Sequence, residues 1–196
     1  MTTTLPLLLT DTDLPFVELQ SARLDGEVFR LDEAFCSVAE FDLPWRRAHS
    51  LAPVLAGPAS VAAGMTAAWV WGAASAAPLR HDVFVPADRR PGVTGPRIHL
   101  RIMAFDDDEV VDFGPVRVTS PARTLVDLVR TEAWSSATRA VVQGLVDEHR
   151  LELGQCVELL ERRERLPHRK RARVRLGDVF GATAEAASEA PAEPGA

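Results

Sequence analysis

The clearest pattern of hydrophobic and polar positions lies in the middle of the chain, where a predicted strand leads directly into a predicted helix. Residues 116–119 alternate valine with a polar residue, which is the period of a half-buried strand. Ser120 has the side chain of a helix N-cap, and Pro121 suits the first helical position, where its missing N–H costs nothing. Arg123 and Asp127 lie four positions apart and are predicted to pair on the outer face of this helix. The side chains predicted to face the core are Leu125, Val126, Leu128 and Val129.

The first 56 residues predict a short helix, a small hairpin and a second helix. The predicted elements are a helix over 11–24, strands over 27–31 and 34–38, and a helix over 44–55. Asp13 is the expected N-cap of the first helix, and Phe16, Leu19 and Leu24 are expected to form its apolar face. Helix followed by hairpin is the outline of a reduced winged helix. A small helix–hairpin subdomain with no DNA role is the alternative.

Residues 57–180 predict a small mixed sheet packed with helices. The predicted strands cover 59–63, 81–85 and 97–103 and begin again at 110 and 116; the predicted helices cover 66–71, 120–130, 134–149 and 153–166. From Ala182 the chain consists of Ala, Glu, Ser, Pro, Gly and Thr, so residues 181–196 are predicted to be a disordered tail. The predicted fold class is therefore α+β, with a winged-helix-like module over 1–56 and an α+β domain over 57–180.

Composition and charge exclude several functions. The net charge of −6 and pI near 5.4 oppose wholesale coating of nucleic acid or of an anionic membrane. No segment approaches the ~20 apolar residues that span a bilayer. Cys36 and Cys156 lie in no metal-binding spacing, and we expect two buried thiols in a reducing cytoplasm.

No catalytic, cofactor-binding or metal-binding residue is predicted. The sequence has no Ser–His–Asp order, HExxH, GxSxG or glycine-rich phosphate loop. Residues 106–108 are three aspartates that could hold a divalent cation, but calcium-loop spacing is missing and a solvated turn is favoured. A metal-dependent nuclease, the least favoured function, would need a lysine beside paired carboxylates. The sole lysine, Lys170, lies instead in a run of arginines.

Two basic features are candidate binding surfaces. Residues 162–175 carry a local net charge of +7, which leaves −13 for the remainder. The basic members of this run are Arg162, Arg163, Arg165, Arg169, Lys170, Arg171, Arg173 and Arg175. The run is interpreted as a surface for phosphates or an acidic partner, or as a helix end paired with the acidic body. The second feature is a predicted strand face of Arg97, His99 and Arg101, joined by Arg117; the alternative is pairing across strands with residues such as Asp82.

Three stretches together resemble a known family. They are residues 65–72 (MTAAWVWG), residues 81–86 (HDVFVP) with the strand at 97–103, and residues 116–130 (VRVTSPARTLVDLVR). In this order and spacing they resemble the AbiEi-type antitoxins of type IV, abortive-infection toxin–antitoxin systems, especially the actinobacterial branch. The resemblance spans roughly residues 11–176.

The resemblance implies a function as well as a fold. It implies an N-terminal winged helix that binds promoter DNA and represses its own operon. It also implies a C-terminal α+β domain that neutralises a nucleotidyltransferase-like toxin without being an enzyme. Many relatives carry a further nuclease-like C-terminal domain, which this chain is expected to lack.

The N-terminal module departs from the family in its charge. The family's module is usually longer and basic, whereas residues 1–50 hold nine acidic residues against four arginines. A net charge of −5 opposes the phosphate contacts that supply most non-specific affinity for DNA. If the module binds DNA, Gln20 and Arg23 on the helix and Arg30 on the hairpin are the predicted contacts. The alternative is a protein-interaction module that has lost DNA binding.

Overall fold

The part of the chain that the structure, a computed structural model, describes forms a two-stranded sheet, a five-stranded sheet and eight α-helices. The described residues are 6–55, 57, 59–89, 95–162 and 167–189, with side chains as far as 182. The helices are α1 (Phe16–Leu24), α2 (Pro44–Ser50), α3 (Ala52–Leu55), α4 (Gly64–Val70), α5 (Pro121–Arg130), α6 (Ser136–His149), α7 (Leu153–Glu161) and α8 (Arg169–Glu189). The strands are β1 (Val28–Leu31), β2 (Ala34–Ser37), β3 (Val61–Ala62), β4 (His81–Val85), β5 (Ile98–Ile102), β6 (Val110–Asp112) and β7 (Arg117–Thr119). The predicted α+β class is confirmed.

Helix α1 and the β1–β2 hairpin form the N-terminal module in the predicted order. Leu19 packs with Val28 and Phe35 in a small core of its own. The prediction that Phe16 and Leu24 also face the core is wrong, since both are exposed. A helix that packs on only two strands buries a narrow stripe. The helix begins at Phe16, later than predicted, because Asp13 instead closes a turn by accepting the Thr10 N–H at 2.9 Å.

The predicted helix over 44–55 is two helices, α2 and α3, separated at Leu51. Pro53 explains the break, because it has no N–H for an i→i−4 bond and its ring crowds the carbonyl of residue 49. The bend lets Ala48, Leu51 and Leu55 all enter the core, where each is at most 1% exposed.

The five-stranded sheet is mixed, with the order β5-β4-β3-β7-β6. Strands β4 and β5 are parallel, as are β3 and β7, whereas β3–β4 and β6–β7 are antiparallel. The centre of the sheet is β3, whose two residues are fully buried. Because β7 lies beside β3 and leads into α5, residues 116–130 occupy the middle of the domain.

Helix α5 matches its prediction closely. It begins at Pro121, and the Ser120 hydroxyl accepts the N–H of Arg123 at 3.4 Å as an N-cap. The four predicted core residues of the helix are all buried. They join a second core built from α4 to α8, in which Leu145, Leu160 and Leu176 are fully buried.

Three helices differ from prediction. Helix α6 begins at Ser136 and not at 134, because the Ser135 hydroxyl accepts the N–H of Thr138 at 3.1 Å as its N-cap. Helix α7 ends at Glu161, and residues 163–166 of its predicted extent lie outside the described residues. Helix α8 continues to Glu189, through a segment predicted to be disordered, since alanine is the strongest helix former. Residues 190–196 lie outside the described part.

A single core cluster joins the N-terminal module to the sheet. Leu31 and Cys36 of the hairpin and Leu51 of α2–α3 pack with Val83 and Val118 of the sheet. The apolar packing is therefore continuous across residue 56. The domain boundaries at 56 and 180 stay predictions.

Candidate functional site

The three predicted DNA contacts lie on the surface of the N-terminal module. Arg23 and Arg30 are exposed, and Gln20 is half-buried. Arg23 Nε donates to Gln20 Oε1 at 3.3 Å, one turn away on α1. Arg30 Nε donates to the carbonyl of Asp32 at 2.7 Å, which holds it against the hairpin turn.

The other two arginines of the module are neutralised within it. Arg46 pairs with Glu40, and Arg47 pairs with Asp42 through two hydrogen bonds of 2.8 and 2.5 Å. Five other exposed carboxylates, in contrast, have no ion-pair partner among the described residues. They are Asp11, Asp13, Glu18, Asp25 and Glu27. The surface of the module is therefore acidic.

Arg97 connects the hairpin turn to the edge of the five-stranded sheet. Its Nη2 donates to Asp32 Oδ1 at 2.6 Å and lies 3.0 Å from His81 Nε2, and its Nη1 pairs with Glu33. His81 Nε2 lies 3.1 Å from the other oxygen of Asp32. Burial alone would raise the pKa of Asp32, but the hydrogen bonds and charges of His81 and Arg97 outweigh it and lower this pKa. Arg97 is thus committed to internal contacts.

His99 is committed as well. Its Nδ1 lies 2.8 Å from Asp82 Oδ1, so the alternative of cross-strand pairing is correct for this residue. Asp82 Oδ2 accepts the N–H of Met65 at 3.2 Å, at the start of α4. Gly64 permits this close approach, because its φ is +53° and a Cβ there would lie 2.7 Å from Asp82 Oδ2.

Arg101 and Arg117 complete the predicted basic face. Arg101 is exposed and borders two small cavities of about 170 and 220 Å³, which both also reach Asp127 and Thr131. The guanidinium of Arg117 lies 5.9 Å from the centre of the Phe105 ring. The four residues therefore do not form one binding surface.

Most of the described part of the basic run is paired internally. Arg162 donates to both carboxylate oxygens of Asp108 at 2.8 Å. Arg169 and Arg173 pair with Glu161 at 3.7 and 2.7 Å. Arg175 donates to the carbonyls of residues 129 and 131 and lies 4.6 Å from the centre of the Trp134 ring. The interpretation of pairing with the acidic body is correct for Arg162, Arg169 and Arg173, whereas Arg175 is held by backbone carbonyls.

Two further members of the run are described by the structure. Lys170 and Arg171 are exposed and have no ion pair among the described residues. Arg163 and Arg165 lie outside the described residues.

A buried ionic network was missed by the sequence prediction. Arg123 Nη1 donates to Glu109 Oε2 at 2.6 Å, and its Nε donates to Asp127 Oδ2 at 2.8 Å. Arg130 Nη1 donates to Asp127 Oδ1 at 3.0 Å. Arg123 and Asp127 pair as predicted, but the prediction that they lie on the outer face of α5 is wrong, since both side chains are buried. The 3₁₀ turn before β6, η1 (Asp107–Glu109), covers that side of the helix.

The network also includes the residue that follows the three aspartates of the acidic turn. Asp106 and Asp108 are exposed as expected, whereas Glu109 is fully buried. Burial raises the pKa of Asp127, and the charges of Arg123 and Arg130 oppose that shift. One feature of the sequence indicates this burial. Helix α5 has apolar residues around most of its circumference, so only a small part of its surface can face solvent.

The described residues contain no group of three or more His, Cys, Asp or Glu that could hold a metal ion. Nor does any helix in that part of the chain have the length and apolarity to cross a membrane. Cys36 and Cys156 are buried and free, as predicted. Burial raises the pKa of the Cys156 thiol to about 12.

Comparison with known proteins identifies the family. The chain is similar to the crystal structure of the RV2827C protein from Mycobacterium tuberculosis, with 16% identity, a TM-score of 0.45, and coverage of 90% of this chain and 76% of that one. No curated protein matches it. The sequence model of the family described as AbiEi antitoxin C-terminal domain matches residues 60–178, which include the stretches at 65–72, 81–86 and 116–130. Because this match covers more than half of the chain, the protein belongs to the AbiEi antitoxin C-terminal domain family.

Proposed function

We propose that the protein is a non-enzymatic antitoxin that counteracts a nucleotidyltransferase-like toxin and regulates its own operon by binding DNA. The family match over residues 60–178 carries the proposal, since it coincides with the five-stranded sheet and helices α4 to α8. The proposal includes a cytoplasmic location and membership in the actinobacterial branch. Two free thiols support a reducing compartment.

The toxin part is tested by co-expression. A nucleotidyltransferase-like toxin encoded beside this protein should arrest growth, and the full chain should restore it. Leu125→Asp, which places a carboxylate in the core of the domain, should abolish the rescue, whereas Leu24→Asp at an exposed position should not. Growth that stays arrested at equal expression of the full chain would contradict the proposal.

The DNA part is supported by the helix–hairpin order of the N-terminal module and is tested by a salt series. Binding to the protein's own upstream DNA should exceed binding to scrambled DNA and weaken as salt rises. If Arg23 and Arg30 each neutralise one phosphate, Arg23→Ala/Arg30→Ala should reduce the slope of log K against log salt by about 2. Arg139→Ala, at an exposed position of α6, is the matched control. Absence of binding at low salt would exclude the DNA role.

A protein-interaction module that has lost DNA binding is the second candidate. One observation favours it: the module exposes five carboxylates with no ion-pair partner among the described residues, against Arg23 and Arg30. Such an acidic surface repels the phosphates of DNA at the long range over which a basic surface would attract them.

A further inference from the structure

The exposed apolar side chains of the protein are concentrated in the N-terminal module. Among the described residues, seven of the eleven exposed large hydrophobic side chains lie between residues 7 and 43. They are Leu7, Phe16, Val17, Leu24, Val38, Phe41 and Leu43. Singly exposed apolar residues are normal on a surface, whereas a continuous apolar surface marks an interaction site; of these seven residues, Leu7 lines such a surface.

An apolar groove runs through the same module. It has a volume of about 370 Å³ and lies between the segment before α1, helix α1 and the hairpin. Its apolar walls are Leu7, Leu9, Leu14, Leu19, Ala22 and Val28. Leu19 and Val28 belong to the small core of the module, so the floor of the groove is a packed structure. Leu7 is exposed at the side of the groove and is available for contact.

The charges around the groove select the kind of occupant. Among the described residues that line it, Glu27 and Glu40 are the charged ones. Glu40 pairs with Arg46, whereas Glu27 is exposed and has no ion pair among the described residues. Two further carboxylates, Glu18 on α1 and Asp25 next to it, add to the negative potential around the groove. Nucleic acids and anionic lipids are therefore disfavoured, and a positively charged ligand is attracted.

We propose that this groove is the docking site for a cationic, amphipathic segment of a partner protein. Apolar side chains of the segment would fill the space beside Leu7 and Val28, and its arginine or lysine side chains would pair with Glu27 and the neighbouring carboxylates. This is recognition of an amphipathic segment in an apolar groove, with charge complementarity at the rim. The inference rests on the second function proposed above and is independent of neutralisation of a toxin by residues 60–178.

The test uses the full chain and three labelled peptides in fluorescence anisotropy. The peptides share one helical pattern of leucines and carry arginine, glutamine or glutamate at the polar positions. The arginine peptide should bind most tightly and the glutamate peptide most weakly, and salt should weaken the arginine peptide alone. Equal affinities, or preference for the glutamate peptide, would overturn the proposal.

Paired variants then locate the site. Leu7→Asp should weaken the arginine peptide by about tenfold or more. Glu27→Arg should weaken it by about three- to tenfold. The same substitutions at exposed positions elsewhere, Leu79→Asp and Glu158→Arg, should leave the affinity unchanged. Leu7 and Glu27 are exposed, so the thermal unfolding midpoint should stay within a few degrees of the wild-type value. Affinity that is insensitive to both variants would place the peptide elsewhere and overturn the proposal.

Two further outcomes would assign the groove to another occupant and overturn the proposal. If removal of residues 1–5 strengthens peptide binding by more than about tenfold, the chain's own N-terminus occupies the groove. If the protein sediments as a dimer that Leu7→Asp dissociates, a second copy occupies it. Failure of toxin neutralisation with intact peptide binding would refute the antitoxin role and leave this docking site supported.

Discussion

At the scale of single residues, the least expected feature is the set of charged side chains buried beside α5. Arg123 lies between Glu109 and Asp127, and all three are nearly inaccessible to solvent. A buried charge is tolerated only where a partner and hydrogen bonds replace its hydration. The network therefore holds the acidic 3₁₀ turn against α5, and its members depend on one another.

Removal of Arg123 should be among the most damaging substitutions. Arg123→Met takes away the cation shared by Glu109 and Asp127 and should lower the free energy of unfolding by about 3–5 kcal/mol. Denaturation in urea measures the loss, with Arg139→Met at an exposed position as the control. Adding Glu109→Gln to Arg123→Met should recover part of it. A loss below about 1 kcal/mol would show that the network contributes little.

Leu125 tests the packing of the same helix. It is fully buried in the second core, so Leu125→Ala should cost about 2–5 kcal/mol of unfolding free energy. Leu24→Ala, at a position that is 80% exposed, is the matched control and should change it by less than about 0.5 kcal/mol. An unchanged unfolding midpoint for Leu125→Ala would mean that α5 does not pack in this way.

At the scale of elements, the hairpin is attached to the sheet by Asp32, Arg97 and His81. Asp32 lies at the turn of the hairpin with φ of +45°, where its carboxylate reaches Arg97 before β5 and His81 on β4. Three elements that are distant in sequence are thereby joined through one side chain.

Acid should weaken this attachment. The pKa of Asp32 is lower in the folded chain than its ordinary value of 3.8. The stabilisation is therefore complete above pH 3.8 and is lost as the pH falls through the lower, folded-state pKa. Asp32→Asn should remove this part of the acid dependence and should cost about 1.5–3 kcal/mol at neutral pH. Asparagine also tolerates a positive φ, so the turn itself should persist.

The measurement is amide exchange of β1 and β2 in the wild type and in Asp32→Asn as the pH is lowered. Exchange rates are corrected for the intrinsic effect of pH. Asp25→Asn, a substitution of an exposed carboxylate in the same module, is the control. Identical acid profiles for Asp32→Asn and the wild type would show that Asp32 does not fasten the hairpin.

At the scale of the whole molecule, the two cores are joined by Trp71. Its ring packs against both clusters, and its Nε1 donates to the carbonyl of Thr119 at 2.7 Å. Trp69, two positions earlier, is buried in the first core only. The two rings serve different packing roles, because residues two apart cannot share a helical face.

The continuity of the first core predicts cooperative unfolding. Leu51 and Leu55 from the N-terminal module fill the same core as Val83 and Val118. Full-length protein should therefore show one unfolding transition, with fluorescence and far-UV circular dichroism coinciding. Residues 57–196 alone should not unfold cooperatively, since this core would be exposed. Two separate transitions of the full chain would instead support a domain boundary at residue 56.

The binding surfaces could not be predicted from the sequence, because their charged residues find partners that only the three-dimensional structure brings close. Arg97, His99 and Arg101 alternate as predicted, yet Arg97 meets Asp32 and His99 meets Asp82. Alternation specifies the side of a strand, and it contains no information about which loop covers that side. The basic run shows the same limit, because Glu161 and Asp108 neutralise its members from other elements.

The sequence by itself determined the local elements of this protein and its family. Valine alternation and a Ser–Pro helix start act over a few residues, so their consequences follow from the residues themselves. Only the tertiary structure decided which charges are free. The pairing of Arg123 with Glu109 and the attachment of Asp32 to Arg97 join segments that are distant in sequence. The apolar groove with its acidic rim is the surface that remains uncovered once those segments have packed. Such features depend on the energy of burial, and burial is a property of the whole fold.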